Sequence, residues 1–253
     1  APESPCPASL LAGNRINTEF LTTIHNGTGR TTACCIDPDS LGHPQIKSLA
    51  SQAVSLVSTY PHKNSMAALF HFLACLTAAD IGIFDLATSG SMLTAVVDRE
   101  DQRQACDILA RTFHLPVSHT PFQQVLSAED KAFLEKNWPD PSASYVEEKI
   151  KTYGLTINRN LSLIRFSASG AALAGMAAGT GPDMTFVSAW GMAREDGSMD
   201  LMILCPEQDN TTPDRLQSLP NASAPVPVLT SGICMISFQG PHFGDRYGIA
   251  HQA

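Results

Sequence analysis

The sequence predicts an α+β protein built from β-α-β-β-α-β units. Three observations carry this reading. Residues 53–119 run strand, helix, strand, strand, helix, strand, each with its own periodicity. The same order returns in weaker form over 161–231. The chain begins on a hairpin with no first strand and closes on a strand and glycine loop with no continuation, so its two ends read as one split unit, 10–52 plus 232–253.

The first whole unit is the clearest. AVSLVSTY (53–60) alternates and is rich in Val and Leu, which suits a half-buried strand. PHKNS turns the chain, with Asn64 or Ser65 as helix N-cap. Residues 66–80 form a helix that is apolar nearly all round. His71, between Phe70 and Phe72, reads there as a core or interface histidine. Strands follow over 81–90 and 91–98, parted by a tight turn at Ser89-Gly90-Ser91. Residues 99–113 make an amphipathic helix with Ala105, Ile108, Leu109 and Phe113 on one face. HLPVSH (114–119) is the short closing strand.

Residues 120–160 are different. Charged residues cluster there, and Trp138-Pro139-Asp140-Pro141 breaks the pattern, so the stretch reads as a helical linker. The second unit then opens on a strand over 161–167 and a helix of small residues over 169–179. Strands over 184–193 and 198–205 turn at Glu195-Asp196-Gly197, an Asp-Gly hairpin signal. A short helix over 212–219 and an edge strand over 224–230 complete it.

The two ends follow the same logic. Ala12-Gly13 stands seven residues before Phe20 as Gly179 does before Phe186, and a hairpin follows each. A helix over 43–51 comes next in the first. Ile233 to Ser237 read as a buried strand, and Gly240, Gly244 and Gly248 as the loop after it. The alternative is that the sequence is a fragment whose missing halves lie elsewhere.

Composition narrows the function. Hydrophobic residues make up 43% of the 253, enough for sizeable cores, and the net charge is −8. An acidic chain with no basic stripe argues against nucleic acid as a partner. No apolar run approaches the ~20 residues that span a bilayer, so no membrane partner is expected. The N-terminal stretch lacks a basic and then apolar leader, which favours the cytoplasm. Seven cysteines, an odd number without a Cys-x-x-Cys, suit reduced core thiols. Cys34-Cys35 is also a candidate metal, redox or catalytic pair, although neighbours in a strand point to opposite faces.

The βαββαβ order is the ferredoxin-like plan. The details resemble the ACT regulatory domains of aspartate kinases. The first helix runs out through Ala78 to Ile81, the next strand carries Thr88-Ser89-Gly90, and the third ends in Val97-Asp98. AREDGSMDLMIL (193–204) resembles the family's hairpin, and Gly240, Gly244 and Gly248-Ile249-Ala250 its first strand-to-helix loop. The resemblance covers most of 10–119 and 161–253, and aspartate kinases also interrupt one ACT domain with another. It does not extend to catalysis: no lysine is followed by Phe-Gly-Gly, and no Gly-x-x-x-x-Gly-Lys-Ser/Thr loop is present. Gly90 stands where many aspartate kinases have Glu, so a lysine effector is not implied.

The resemblance implies a non-enzymatic regulatory chain that binds an amino acid at an ACT-domain interface, with no cofactor and no metal. It also implies a homo-oligomer or a partner enzyme chain. The ligand would sit beside a first strand-to-helix loop, where free N–H groups and a positive helix end attract a carboxylate. Two loops fit. One holds His62, Asn64 and Ser65, with Ser89 reaching over from the next strand. The other holds Gly240, His242, Gly244, Asp245, Tyr247, Gly248 and Ile249. Asp245 is either the ammonium partner or the N-cap of the last helix. A different class of reading is an assembly module that pairs its sheets with a partner chain and binds nothing small.

Overall fold

The computed structural model describes residues 7–25, 30–36, 38–44, 46, 51–115, 152–207, 215–216 and 227–240. The chain divides into two compact units, one of Ala1–Ser51, Phe122–Thr156 and Ser237–Ala253, the other of Gln52–Pro121 and Ile157–Ile236.

In the first unit, helix α1 (Pro7–Gly13) precedes a hairpin of β1 (Phe20–His25) and β2 (Arg30–Cys35). The strands pair antiparallel from Phe20↔Cys35 to His25↔Arg30. Leu11, Ile16 and Ile46 form a small core with Leu10, Cys34 and Ile36 against it. A 3-10 turn over Pro38–Gly42 follows the hairpin. The helix expected over 43–51 is not seen in its described residues: the His43 and Ile46 N–H groups close successive turns instead, and Pro44 disfavours helical geometry at His43.

The second unit is built on a seven-stranded sheet. Its first half runs β3 (Val54–Thr59), α2 (Met66–Ala78), β4 (Ile83–Thr88), β5 (Leu93–Asp98) and α3 (Gln102–Thr112). Its second half runs β6 (Gly154–Ala168), α4 (Gly170–Gly179), β7 (Ser188–Ala193), β8 (Met199–Pro206) and β9 (Val228–Gln239). The spatial order is β3-β5-β4-β7-β8-β6-β9. Each half therefore places its third strand between its first and second, and β9 lies outside β6 as a fourth strand does. This is the α+β, ferredoxin-like arrangement the sequence predicts, compatible with ACT-type units.

The register sorts the side chains. Val57, Leu93, Ala95, Val97, Leu86, Ala189, Leu201, Ile203, Ile164 and Phe166 share one core with α2, α3 and α4. Helix α2 is apolar on most sides because its Leu69, Phe70, Phe72, Leu73 and Leu76 are all fully buried. Helix α4, made largely of small residues, packs on α2, where a Cβ at Gly170 would lie 3.5 Å from Thr77 Cβ. His71 is exposed, so it is neither a core histidine nor one packed within this chain. Its position falls on the one strip of α2 that faces water.

Two strands differ from expectation. Strand β6 begins at Gly154, so residues 154–160 are extended rather than part of a helical linker. GLTINRN shows little apolar periodicity because it is largely exposed, and its hydrogen bonding is non-local: the Asn160 carbonyl accepts from the Glu207 N–H at 2.8 Å, and just before it the Tyr153 N–H donates to the Gln239 carbonyl at 2.8 Å. Strand β9 runs unbroken from Val228, inside the strand expected at 224–230, through the one expected at 233–237; residues 224–226 lie outside the described residues. Gly232, at φ +74, bends the chain inside the strand where the sequence suggested an end. Nor is 233–237 buried: Cys234 and Ile236 are exposed.

Of the closing strand expected at 114–119, His114 and Leu115 instead finish the turn after α3; residues 116–119 lie outside the described residues. So does most of the linker and, apart from Arg215 and Leu216, the 212–219 helix.

Candidate functional site

The two halves of the second unit meet along β4 and β7, the second strand of each. They pair antiparallel through Asp85↔Met192, Leu86↔Gly191 and Ala87↔Trp190. Thr88 extends the joint by accepting a hydrogen bond from the Ala189 N–H at 2.8 Å, with its hydroxyl 3.1 Å from that of Ser188. Gly191 is required by a close approach: a Cβ there would lie 2.7 Å from Leu201 Cδ2 and 3.0 Å from the Asp200 carbonyl oxygen.

The loop from β3 to α2 is tied into this joint. Its Tyr60–Pro61 peptide is cis, and Lys63 and Asn64 hold φ values of 51° and 56°. These turns carry His62 inward, where it is 3% exposed. His62 Nδ1 accepts from the Asn64 N–H at 2.9 Å, which leaves the ring hydrogen on Nε2, donated to the Ser89 carbonyl at 3.1 Å. The His62 N–H donates to the Ser91 carbonyl at 2.9 Å, and the ring stacks on Phe186 with centroids 5.0 Å apart. One side chain thus links the loop, the β4–β5 turn and the segment entering β7.

The backbone repeats the connection. The Phe186 N–H donates to the Asn64 carbonyl and the Met66 N–H to the Met184 carbonyl, both at 3.0 Å. Ser65 caps α2 by accepting from the Ala68 N–H at 3.2 Å. The helix end is therefore largely occupied by protein partners. The groups that remain free to meet a ligand are different ones: the Asn64 side-chain amide and the Ser89 hydroxyl make no hydrogen bond among the described residues.

The structure thus brings His62, Asn64, Ser65 and Ser89 together. His62 and Ser65 spend their polar atoms on the fold. Of the second loop only Gly240 is described; His242, Gly244, Asp245, Tyr247, Gly248 and Ile249 lie outside the described residues. Sequence reasoning missed Met184, Phe186 and Ser188 as members of the junction. Phe186 stands out in the comparison of repeats, yet nothing local marks it as the partner of a histidine more than a hundred positions earlier.

Cysteine chemistry finds little support. Cys34 packs against the small core of the first unit, and burial pushes its thiol up, away from the reactive thiolate. Cys75 and Cys106 are shifted the same way by burial. Among the described residues no group of three or more His, Cys, Asp or Glu side chains could hold a metal ion, and no helix is long and apolar enough to cross a membrane.

No family model matches this sequence, and no curated protein matches it. A solved structure does, the crystal structure of aspartate kinase from Synechocystis, with a TM-score of 0.64 at 12% identity. The match covers 95% of this chain and 43% of that one. At that identity the likeness is one of fold. The chain spans less than half the length of the enzyme it resembles.

Proposed function

We propose that this chain is a non-catalytic regulatory module that binds a small ligand, an amino acid, at the junction of its ACT-like halves. The observation that carries the reading is the likeness of nearly the whole chain to part of an aspartate kinase. The junction supplies a physical means. A ligand held by Asn64 and Ser89 would touch the loop and turn that His62 ties to Phe186. It would then bias how the two halves pack, in this chain or on a partner enzyme, by as much as its affinity differs between the two packings.

The test is a thermal-shift panel of the twenty amino acids, followed by titration calorimetry on any hit. A ligand at a hundred times its Kd stabilises the native state by about 2.7 kcal/mol if it binds only that state. Asn64→Ala with Ser89→Ala should remove the shift and leave the fold intact; Asp245→Ala tests the second loop in the same way. A flat panel from a folded protein would sink the sensor reading.

One observation favours assembly as the second reading. The twelve residues of β9 contain no charge and no proline, and Val228, Leu229 and Ile236 on it are exposed. Natural edges usually carry such protection.

A further inference from the structure

Among the described residues no helix packs on one face of the second unit's sheet, and that face is not simply apolar. The strand alternation assigns its residues. Ile164, Phe166 and Ala168 of β6 face the helices, so Leu163, Arg165 and Ser167 face the other way. Arg165 pairs with Met202, Met202 with Trp190, and Trp190 with Ala87, which makes one row across four strands. The neighbouring row is Ser167, Asp200, Met192 and Asp85.

Much of this face is shut off from water. Leu161, Met202, Leu204 and Val96 are exposed by only 3%, 7%, 4% and 4%. Arg165 itself is half-buried, and its Nε is buried with no hydrogen-bond partner among the described residues. The carboxylate diagonal to it across the strands, Asp200, is already engaged by the Ser167 hydroxyl and by Arg194 Nη1. Arg194 is exposed and has two aspartates for company; Arg165 is half-buried and pairs with no acid among the described residues. A guanidinium is always charged and presents five N–H donors in a flat fork. A buried donor left without an acceptor is costly, and an orphan of this kind calls for an explanation.

We infer that Arg165 is the anchor of a binding site for a small carboxylate with an apolar body. The carboxylate would accept from the guanidinium fork, the geometry in which arginine binds best. The apolar body would lie along Leu163 and Trp190, two partly exposed apolar side chains of this face. A phosphate dianion fits less well, because one guanidinium among apolar neighbours cannot offset the desolvation of two charges. Arg165 lies on β6, outside the His62 loop, the β4–β5 turn and the segment entering β7, so neither reading depends on the other.

The test uses the full chain and a defined probe, sodium hexanoate, against hexanol and inorganic phosphate at matched ionic strength. The readouts are the side-chain Nε–Hε signals of the 15N-labelled protein and its thermal midpoint. Loss of a signal in Arg165→Lys assigns the Arg165 resonance. Hexanoate should shift that resonance and raise the midpoint, while hexanol and phosphate should do neither. In Arg165→Met the hexanoate affinity should fall about tenfold or more, as expected for losing a charged hydrogen bond. An unmoved Arg165 signal in hexanoate would overturn the site. So would an Arg165→Met protein that keeps its hexanoate response. An equal response to phosphate would overturn the carboxylate assignment. Should Arg165→Met fail to fold, the wild-type resonance still decides.

Discussion

Replacing His62 by Ala tests whether the junction holds the two halves of the sheet together. The substitution removes two ring hydrogen bonds, at 2.9 and 3.1 Å, and a stack on Phe186 at 5.0 Å. Each hydrogen bond is worth about 1 kcal/mol net, more where a buried partner is left unsatisfied. The stack adds about 0.5–1.5 kcal/mol. A loss of about 2–4 kcal/mol follows from those two contributions. For a chain of this size that is a fall of roughly 5–15 °C in Tm. His62→Phe keeps a ring against Phe186 and loses both bonds, so it should fall between. His71→Ala on α2 is the control, since His71 is exposed, and it should stay within about 0.5 kcal/mol of wild type. Urea unfolding followed by circular dichroism measures all three. Amide exchange should also quicken at Asn64 and Phe186 in His62→Ala. If His62→Ala is as stable as His71→Ala, the ring does not join the halves and the junction argument fails.

Three further outcomes are expected. Gly191→Ala should cost about 1–3 kcal/mol in urea unfolding, because its Cβ meets Leu201 at 2.7 Å and a backbone oxygen at 3.0 Å; an unchanged midpoint would show that β8 yields freely. Stability should fall in acid. The Glu100 N–H and the Gln52 amide hold Asp98 below its ordinary 3.8, Arg215 does so for Asp183, and the Ser198 hydroxyl and N–H for Asp196. The unfolded chain therefore binds these protons first, so their contribution is present above 3.8 and is lost as pH falls below it. The urea midpoint should not change through these groups between about pH 5 and 7 and should drop toward pH 3, less steeply in Asp183→Asn. Asp183 and Asp196 are exposed, so salt should weaken their share of the effect. In mass mapping of native alkylation, Cys234 should label before Cys34, Cys75 and Cys106, and buried Cys205 last, since burial raises the first three thiols and hides the fourth. Early labelling of Cys205 would mean that β8 opens locally.

Local pattern made much of the fold legible. Helix α2 was expected over 66–80 and is observed as Met66–Ala78; β5 was expected over 91–98 and is observed as Leu93–Asp98. The Asp-Gly turn joins β7 to β8 with Gly197 at φ +78, as its residues demand. In the candidate site, Ser65 was legible as a cap because capping spans only three residues. His62 was legible as a member of a loop but not as its keystone.

What the sequence alone determined, then, is the order and type of elements. Periodicities of two and of 3.6 and turn chemistry are properties of neighbouring residues. Tertiary structure decided the rest: that β4 pairs with β7, that Thr88 meets Ser188, that His62 stacks on Phe186, and that Arg165 Nε is buried without a partner among the described residues. Those partners stand a hundred or more positions apart, or on separate strands. The same apolar and polar pattern is compatible with several pairings, and only packing the whole sheet against α2, α3 and α4 selects one. Strands β6 and β9 show the physical reason most plainly. Their exposed ends have little burial to imprint a pattern on the sequence, and backbone hydrogen bonds to a distant strand hold them extended regardless of side chain.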